Sequence, residues 1–513
     1  MKQVKGSSEL VLGLITTVGT NTQRLIECLQ DQFKFFGFTA EVINVSKDIL
    51  NQFLTTPEPK TEYDRIVTYM DLGDAVRKEA NDNAILMRGA AGQIYSKREK
   101  IKGGPQPREK IVYIIKSIKH PDEVTCLREI YGDGFYAVGV TSTKEERIHH
   151  LYAGKGLTEE QAKELITRDE EDDSSKFGQH TRDAFQRADY FLSITDSQVE
   201  MQNNVIRLVY LLFGNPYLTP TFDEYAMFMA YAASLRSADL SRQIGAVVTK
   251  DNEIIASGVN DCAKPGGGLY WPEKNEKGEY NDISGGRDYT LKADSNKIEQ
   301  ARLINRIIEE FKKEFRLCSG TDEEAIEDVK NQIRNRLKKT GIGALTEYGR
   351  VVHAEMEALS MCARNMISSK GTTMYVTTFP CHNCAKHIIA AGVEKVYYIE
   401  PYPKSKALEF YQGQIITVDT DTNTNTNKKV KFLPFSGVGP RRFIDLFSMD
   451  SHRWQKRQRK NDEGETLEWD KSKANLRTPM PTMIYLEKEN SAYSNFYEGT
   501  KTIRKGASKN DEH

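Results

Sequence analysis

The chain has 513 residues, 38% of them hydrophobic and 28% charged, the balance of an ordinary globular protein with room for about two to four domains. A net charge of −1 removes any global pull toward nucleic acid or a membrane surface, and no apolar run is long enough to span a bilayer. The seven cysteines are scattered rather than arranged as a disulfide framework, so the expected compartment is the cytoplasm.

Residues 9–45 read as the opening βαβ unit of a parallel α/β sheet. ELVLGLIT is a buried strand, QRLIECLQDQFKFFG an amphipathic helix ending at Gly37, and FTAEVINVS a second strand. The loop between Gly13 and Thr22 resembles a phosphate-binding P-loop, with Gly13, Gly19, Thr20 and Thr22 as its candidate residues. It departs from that pattern by one extra residue before Gly19 and by Thr20-Asn21 where glycine and lysine are expected. A plain glycine-bearing βα turn explains the same residues.

KIVYIIKSI, EVTCLREIYG, FYAVGVTST and KEERIHHLYAG continue the alternation of strand and helix. RDEEDDSS reads as a solvated acidic loop, GQHTRDAFQRADYFLSI as a helix and a last strand, and NNVIRLVYLLFG as a closing helix. Residues 1–214 therefore resemble a P-loop nucleotide kinase of the nucleoside monophosphate kinase kind. That resemblance implies an aspartate at the end of the strand IVYII, to help hold magnesium; Lys116 and Ser117 stand there instead. Without the loop lysine and the acidic residue, the half is expected to be a poor phosphotransferase and to serve as a regulatory or partner-binding module.

The organisation changes at Asn215-Pro216. Leu218 to Ser237 reads as a helix, and IGAVVTKDNEIIASGVN as a hairpin turning at Asp251-Asn252. A long insertion, residues 263–350, carries two highly charged amphipathic helices. Cys262 and Cys318 are a weak second metal pair, with no neighbouring His or Cys to complete it.

HAEMEALSMCARN is helical, MYVTT is a strand, and CAKHIIAAG is a helix closed by Gly392. Across them run His353-Ala354-Glu355 and Pro380-Cys381-His382-Asn383-Cys384. One imidazole and two thiolates suit Zn2+, and three protein ligands leave a fourth position open, as catalytic zinc requires. There zinc brings the pKa of water toward neutrality. Glu355 is placed to move protons rather than to bind metal. The order His-x-Glu, then Pro-Cys-x-x-Cys, is that of zinc nucleobase deaminases.

Beyond residue 405, QIITVDT returns to strand character, and Asp419 to Lys429 is a polar low-complexity tract. Arg441 and Arg442 suit either phosphate contact or surface ion pairing. Residues 451–513 form a basic extension, with Arg453, Lys456, Arg457, Arg459 and Lys460 around Trp454; this is a candidate RNA patch or a solvated helix.

SRQIGAVV, the hairpin end Gly258-Val259-Asn260, YGRVVHAEMEALS and FPCHNCAKHIIAAGVEKVYYIEPYPKS resemble deoxycytidylate deaminases. The two halves together are similar to antiphage deoxycytidine nucleotide deaminases of bacteria. The fold implied is α/β: a P-loop kinase-like parallel sheet over 1–214, then an α/β/α three-layer cytidine-deaminase-like domain over 215–450. The activity implied is zinc-dependent conversion of dCTP, dCMP or both to deoxyuridine nucleotides, with Glu355 catalytic and His353, Cys381 and Cys384 on the metal. Asn260 is implied for the sugar hydroxyls, and Arg242 is the candidate phosphate contact. Expected partners are the nucleotide, an inhibitory small RNA and further copies of the chain in a homo-oligomer, with no membrane. One departure from the family is Glu357, where asparagine is usual; it puts monophosphate specificity in question and keeps the triphosphate open. A polynucleotide cytidine deaminase and an RNA-regulated nucleotide-sensing module are the alternatives.

Overall fold

The computed structural model describes residues 8–54, 59–100, 104–171, 177–194, 198–315, 323–338, 340–345, 347–402, 405–417, 429–450, 456–480 and 484–503. Strand β1 (Glu9–Thr16) is buried along its length, with Leu10, Leu12 and Leu14 in one apolar cluster and Val11 and Ile15 in another. A strand covered on both faces is what a parallel sheet between helical layers requires. Helix α1 (Gln23–Phe35) buries Leu25, Ile26, Leu29 and Phe33, one stripe at helical spacing. There follow β2 (Thr39–Asn44), α2 (Glu62–Ala80), α3 (Ile85–Glu99), β3 (Ile111–Ile118), α4 (Pro121–Tyr131), β4 (Phe135–Thr141), α5 (Lys144–His149), α6 (Glu159–Glu171), α7 (Thr181–Phe185), β5 (Tyr190–Ser193) and α8 (Gln198–Leu212).

The parallel order is β2-β3-β1-β4-β5. The chain winds both ways from β1, so the carboxyl ends of β1 and β3 border a crevice of the kind that takes ligands in such sheets. The acidic run begins inside α6 rather than in a loop, since Arg168–Glu171 continue that helix; residues 172–175 lie outside the described residues.

The second half opens with α9 (Phe222–Ser234), whose first turn is capped by Thr221 and Glu224 reciprocally. β6 (Gly245–Lys250) and β7 (Glu253–Val259) form the expected hairpin, with Asp251 at φ 51 and Asn252 at φ 61, the left-handed pair that matches strand twist. β8 (Asp261–Cys262) then opens the insertion, which holds β9 (Glu273–Lys274), β10 (Tyr280–Asn281), α10 (Asp288–Leu291), α11 (Ser295–Phe315) and α12 (Glu323–Lys338). β11 (Val351–Val352) closes it by pairing antiparallel with β8. Both roots of the insertion therefore lie next to Asn260 and His353.

Next come α13 (Ala354–Arg364), β12 (Thr373–Thr378), α14 (His382–Ala390), β13 (Lys395–Glu400), α15 (Ala407–Phe410), β14 (Ile415–Ile416) and β15 (Val430–Pro434). The sheet order is β14-β15-β13-β12-β6-β7. Alternation along β12 sends Met374 and Val376 into the cluster beneath α13 and α14, and Tyr375 into the opposite cluster with Met227 of α9. The result is the expected three-layer α/β/α domain.

The two halves are not separate beads. β16 (Gly437–Val438) leaves the second half and adds antiparallel to β5. After α16 (Phe443–Phe447), α17 (Ile484–Gly499) returns to lie on α3. There Arg98, fully buried, pairs with Glu9 at 2.6 Å and with Glu489 of α17 at 2.8 Å. Residues 451–513 thus include a helix that completes the first half, which a basic extension does not describe. Arg457 is buried and donates to the Leu446 carbonyl, and Arg459 donates to the Pro216 carbonyl at 2.7 Å. Arg453, Trp454, the tract 419–428 and residues 504–513 lie outside the described residues. Among the described residues no helix is long and apolar enough to cross a membrane.

Candidate active site

His353 is the N-cap residue of α13, extended at φ −69 and ψ 152, so Glu355 falls in the first turn directly after it. Two residues apart in mid-helix would diverge; at a helix start they converge. Cys381 is likewise the N-cap residue of α14, and its sulfur accepts from the Cys384 backbone N–H at 3.4 Å. Two helix starts therefore face each other across the end of β12. His353 Nδ1 lies 3.3 Å from Cys384 Sγ and 3.4 Å from Cys381 Sγ. Among the described residues these three form the one cluster of metal-ligating side chains, with all ligand atoms within 4.8 Å of one another.

Close packing brings α13 to this place. Gly258 on β7 lies so near the helix that a Cβ there would stand 2.1 Å from the Ala354 carbonyl oxygen and 2.4 Å from the Ala358 amide. Only glycine permits that approach.

Hydrogen bonding from Cys384 and His353 brings the Cys381 thiol down to about 4, which makes it a thiolate at neutral pH. The hydrogen bond to Cys381 lifts His353 to about 9. The Cys381 thiolate, then burial, push the Cys384 thiol well up. Burial, and after it the Cys381 charge, raise Glu355. The donor set of one imidazole and two sulfurs, with Cys384 buried and His353 and Cys381 partly so, is the chemistry that zinc accepts. Glu355 is buried beside it and is the group of suitable type to carry protons.

Asn260 is buried, and both ends of its amide are in use: Oδ1 accepts from Ile244 N at 2.7 Å, and Nδ2 donates to the Arg242 carbonyl at 2.8 Å. It pins the loop that carries Arg242. The Arg242 guanidinium donates to Glu400 at 2.8 Å. Glu357 is buried and paired with Arg364 at 2.6 Å, so its charge is directed along its own helix. Arg442 is spent on structure, bound to Asp445 at 3.0 Å and to the Phe135 carbonyl at 2.9 Å. Cys262 contacts Asp288 at 3.5 Å, and Cys318 lies outside the described residues. Glu400 and its neighbour Thr378, which hydrogen-bond at 2.8 Å, belong to none of the motifs legible in the sequence. Their signal was the acidic end of VYYIE beside the thiol motif.

In the first half, Gly13 is not part of the phosphate loop expected of it. It lies inside β1, opposite Ile115 and Ala137, and an added Cβ would meet Ile118 at 2.4 Å; it is a packing glycine rather than a loop residue. Gly19, at φ +87, and Thr20 do lie in the β1–α1 loop, and Thr22 caps α1 without a side-chain hydrogen bond. A cavity of about 260 Å3 opens there, lined by Gly19, Asn21, Arg65, Lys116, His150 and Lys155.

A three-layer α/β/α domain with a buried glutamate beside a His/Cys/Cys cluster at two helix starts is the arrangement found in zinc-binding nucleobase deaminases. Residues 220–400 match the family model described as cytidine and deoxycytidylate deaminase zinc-binding region. The deoxycytidylate deaminase of Enterobacteria phage T4 is 33% identical over 35% of this chain and 77% of that protein. The phage T2 enzyme of the same name is 30% identical over 35% of this chain and 79% of its own length. Among solved structures, dCMP deaminase from the cyanophage S-TIM5 aligns at 18% identity and TM-score 0.22, over 42% of this chain and 100% of that one. The chain belongs to the deoxycytidylate deaminase family.

Proposed function

We propose that the protein hydrolytically deaminates free deoxycytidine nucleotides, dCTP, dCMP or both, with His353, Cys381 and Cys384 holding zinc and Glu355 moving the protons. The observation that carries this reading is the convergence of those three ligand atoms beside a buried glutamate. Zinc, when bound, supplies a Lewis acid that lowers the pKa of water toward neutrality. Glu355 accepts the proton of the water that adds to C4 of cytosine and passes a proton to N3. It then takes the proton of the new C4 hydroxyl and delivers it to the amine, so that the C4–N bond breaks, the C4 carbonyl forms and ammonia leaves. Asn260 fixes the loop carrying Arg242, and Arg242 meets the nucleotide phosphate. The Arg364 partner of Glu357 supports a site in which that carboxylate does not repel the substrate.

The test is incubation of the purified chain with dCMP, dCTP and single-stranded DNA. Deoxyuridine nucleotides are expected from the free nucleotides. Uracil in the DNA alone would favour a polynucleotide deaminase. In the cell we propose depletion of deoxycytidine nucleotides during phage infection, by a homo-oligomer held in check by a small RNA. Loss of protection against phage in Glu355→Ala, the mass of the native particle and the 260/280 nm ratio of the purified protein test these three parts.

A second reading concerns the first half. Lys116, Lys155 and Arg65 face one cavity with Glu62 as their acidic partner, bonded to Arg65 at 2.6 Å and to Lys155 at 3.6 Å. Burial, then the charges of Lys155 and Arg65, lower the Lys116 pKa. This excess of positive charge beside a helix N-terminus favours an anion such as a nucleotide phosphate, bound without phosphoryl transfer. ATP or inorganic phosphate should raise the melting temperature of the full chain, and Lys116→Ala should lose that shift. Kinase-like turnover of ATP would overturn it.

A further inference from the structure

The deaminase site and the first half of the chain meet at one carboxylate. Glu400 ends β13 and pairs across the sheet with Thr378, three residues before Cys381. Its side chain is only 6% exposed. One oxygen accepts from Thr378 Oγ1 at 2.8 Å. The other accepts from Arg242 at 2.8 Å, and Arg182 Nε stands 3.7 Å from that same oxygen. Arg182 belongs to α7, in the first half, and its side chain is 12% exposed, against 40% for Arg242. Its other end lies 3.8 Å from Asp183.

The backbone around Arg242 is fixed. Its carbonyl takes the Asn260 amide at 2.8 Å, and its N–H donates to Asp239 at 3.0 Å. The guanidinium, held at Glu400 and 40% exposed as a side chain, is the part of Arg242 that can turn. If it turns to a phosphate, Glu400 is left buried without its hydrogen-bonded cation, a strongly unfavourable state. Arg182 Nε, 3.7 Å from the same oxygen, is the second cation beside that carboxylate.

We propose that Arg182 is a positioning residue for the phosphate end of the deaminase site: it shares Glu400 with Arg242 and holds that carboxylate when Arg242 turns to the nucleotide. The inference rests on the reading above that Arg242 meets the phosphate. It makes nucleotide affinity depend on a residue of the other half, far away in sequence. Without Arg182, Glu400 retains Arg242, and the phosphate must compete for it.

The test is steady-state kinetics of the full-length wild type, Arg182→Ala, Arg182→Lys and Arg242→Ala with dCMP and dCTP, with deoxycytidine as a competitor. Arg182→Ala should raise the nucleotide KM about tenfold, with kcat within about twofold and deoxycytidine binding unchanged. Arg182→Lys should recover most of the loss. Adding Glu400→Gln to Arg182→Ala should also recover KM, because the neutral amide no longer competes for Arg242; Arg182→Lys, which keeps the cation, reports even if Arg182→Ala folds poorly. An unchanged KM in Arg182→Ala, an equal loss on deoxycytidine, or no recovery in the double variant overturns the inference. An unchanged KM in Arg242→Ala overturns the phosphate reading itself, which separates the two failures.

Discussion

Gly258 and Ala354 are in backbone contact: a methyl group on the glycine would stand 2.1 Å from the alanine carbonyl. That contact sets the depth of α13, and with it the places of His353 and Glu355. Gly258→Ala should therefore act on the site through the helix. Overpacking of this kind costs about 1–3 kcal/mol. The expected result is a lower melting temperature together with reduced zinc content and deamination. Normal zinc and activity in this variant would show that α13 is placed by other contacts.

The Cys381→Ala, Cys384→Ala double variant should carry no zinc, where the wild type carries about one per chain, since two of the three ligands are gone. Metal binding is linked to folding, so the domain should also melt earlier. Full zinc by metal analysis would place the metal elsewhere.

Glu355→Ala should keep zinc and the melting temperature but lose about 10²–10⁴-fold in kcat, the usual worth of a positioned proton carrier. The side chain is buried, so folding must be checked alongside the rate. Turnover near the wild-type rate would mean that another group moves the protons.

The first half should be destabilised when α17 is removed. Truncation after residue 480 deletes Glu489 and uncovers Gly89 and Gly92, whose helix face fits Phe496 and Tyr493. Loss of one partner from a buried ion pair costs about 3–5 kcal/mol. Limited proteolysis and urea melts should show earlier opening of residues 8–214. An unchanged melt would make α17 a passenger.

Glu489 also sets a pH dependence. Burial raises its carboxyl to about 7, against the opposing bonds to Arg98, because one guanidinium cannot neutralise both Glu489 and Glu9 in a closed site. The folded chain then binds more protons than the unfolded chain between 4.5 and about 7. The stabilisation is complete below 4.5 and is lost as pH rises through about 7, by an amount on the order of 1–3 kcal/mol. His120 and His150, lowered by burial, shift the other way, so the comparison is with Glu489→Gln. The stability difference between wild type and variant should change across this range; a constant difference would refute the assignment.

The chemistry was legible in the sequence because it is local. His353 and Glu355 stand two residues apart, Cys381 and Cys384 three apart, and the helix starts that make them converge are written in the neighbouring residues. The hairpin at Asp251-Asn252 and the alternation through Met374, Tyr375 and Val376 were legible for the same reason: period and turn chemistry are short-range properties. Tertiary structure alone decided what depends on contacts between distant segments. It moved Gly13 from a loop into the core of β1, bonded the Asn260 amide to Ile244 and Arg242, and spent Arg442, Arg457 and Arg459 on buried or part-buried carbonyls and carboxylates. It also returned Glu489 to Arg98 across 391 positions, and brought Arg182 to Glu400. No spacing rule encodes such pairs, because a buried charge takes whichever partner the packed chain places beside it.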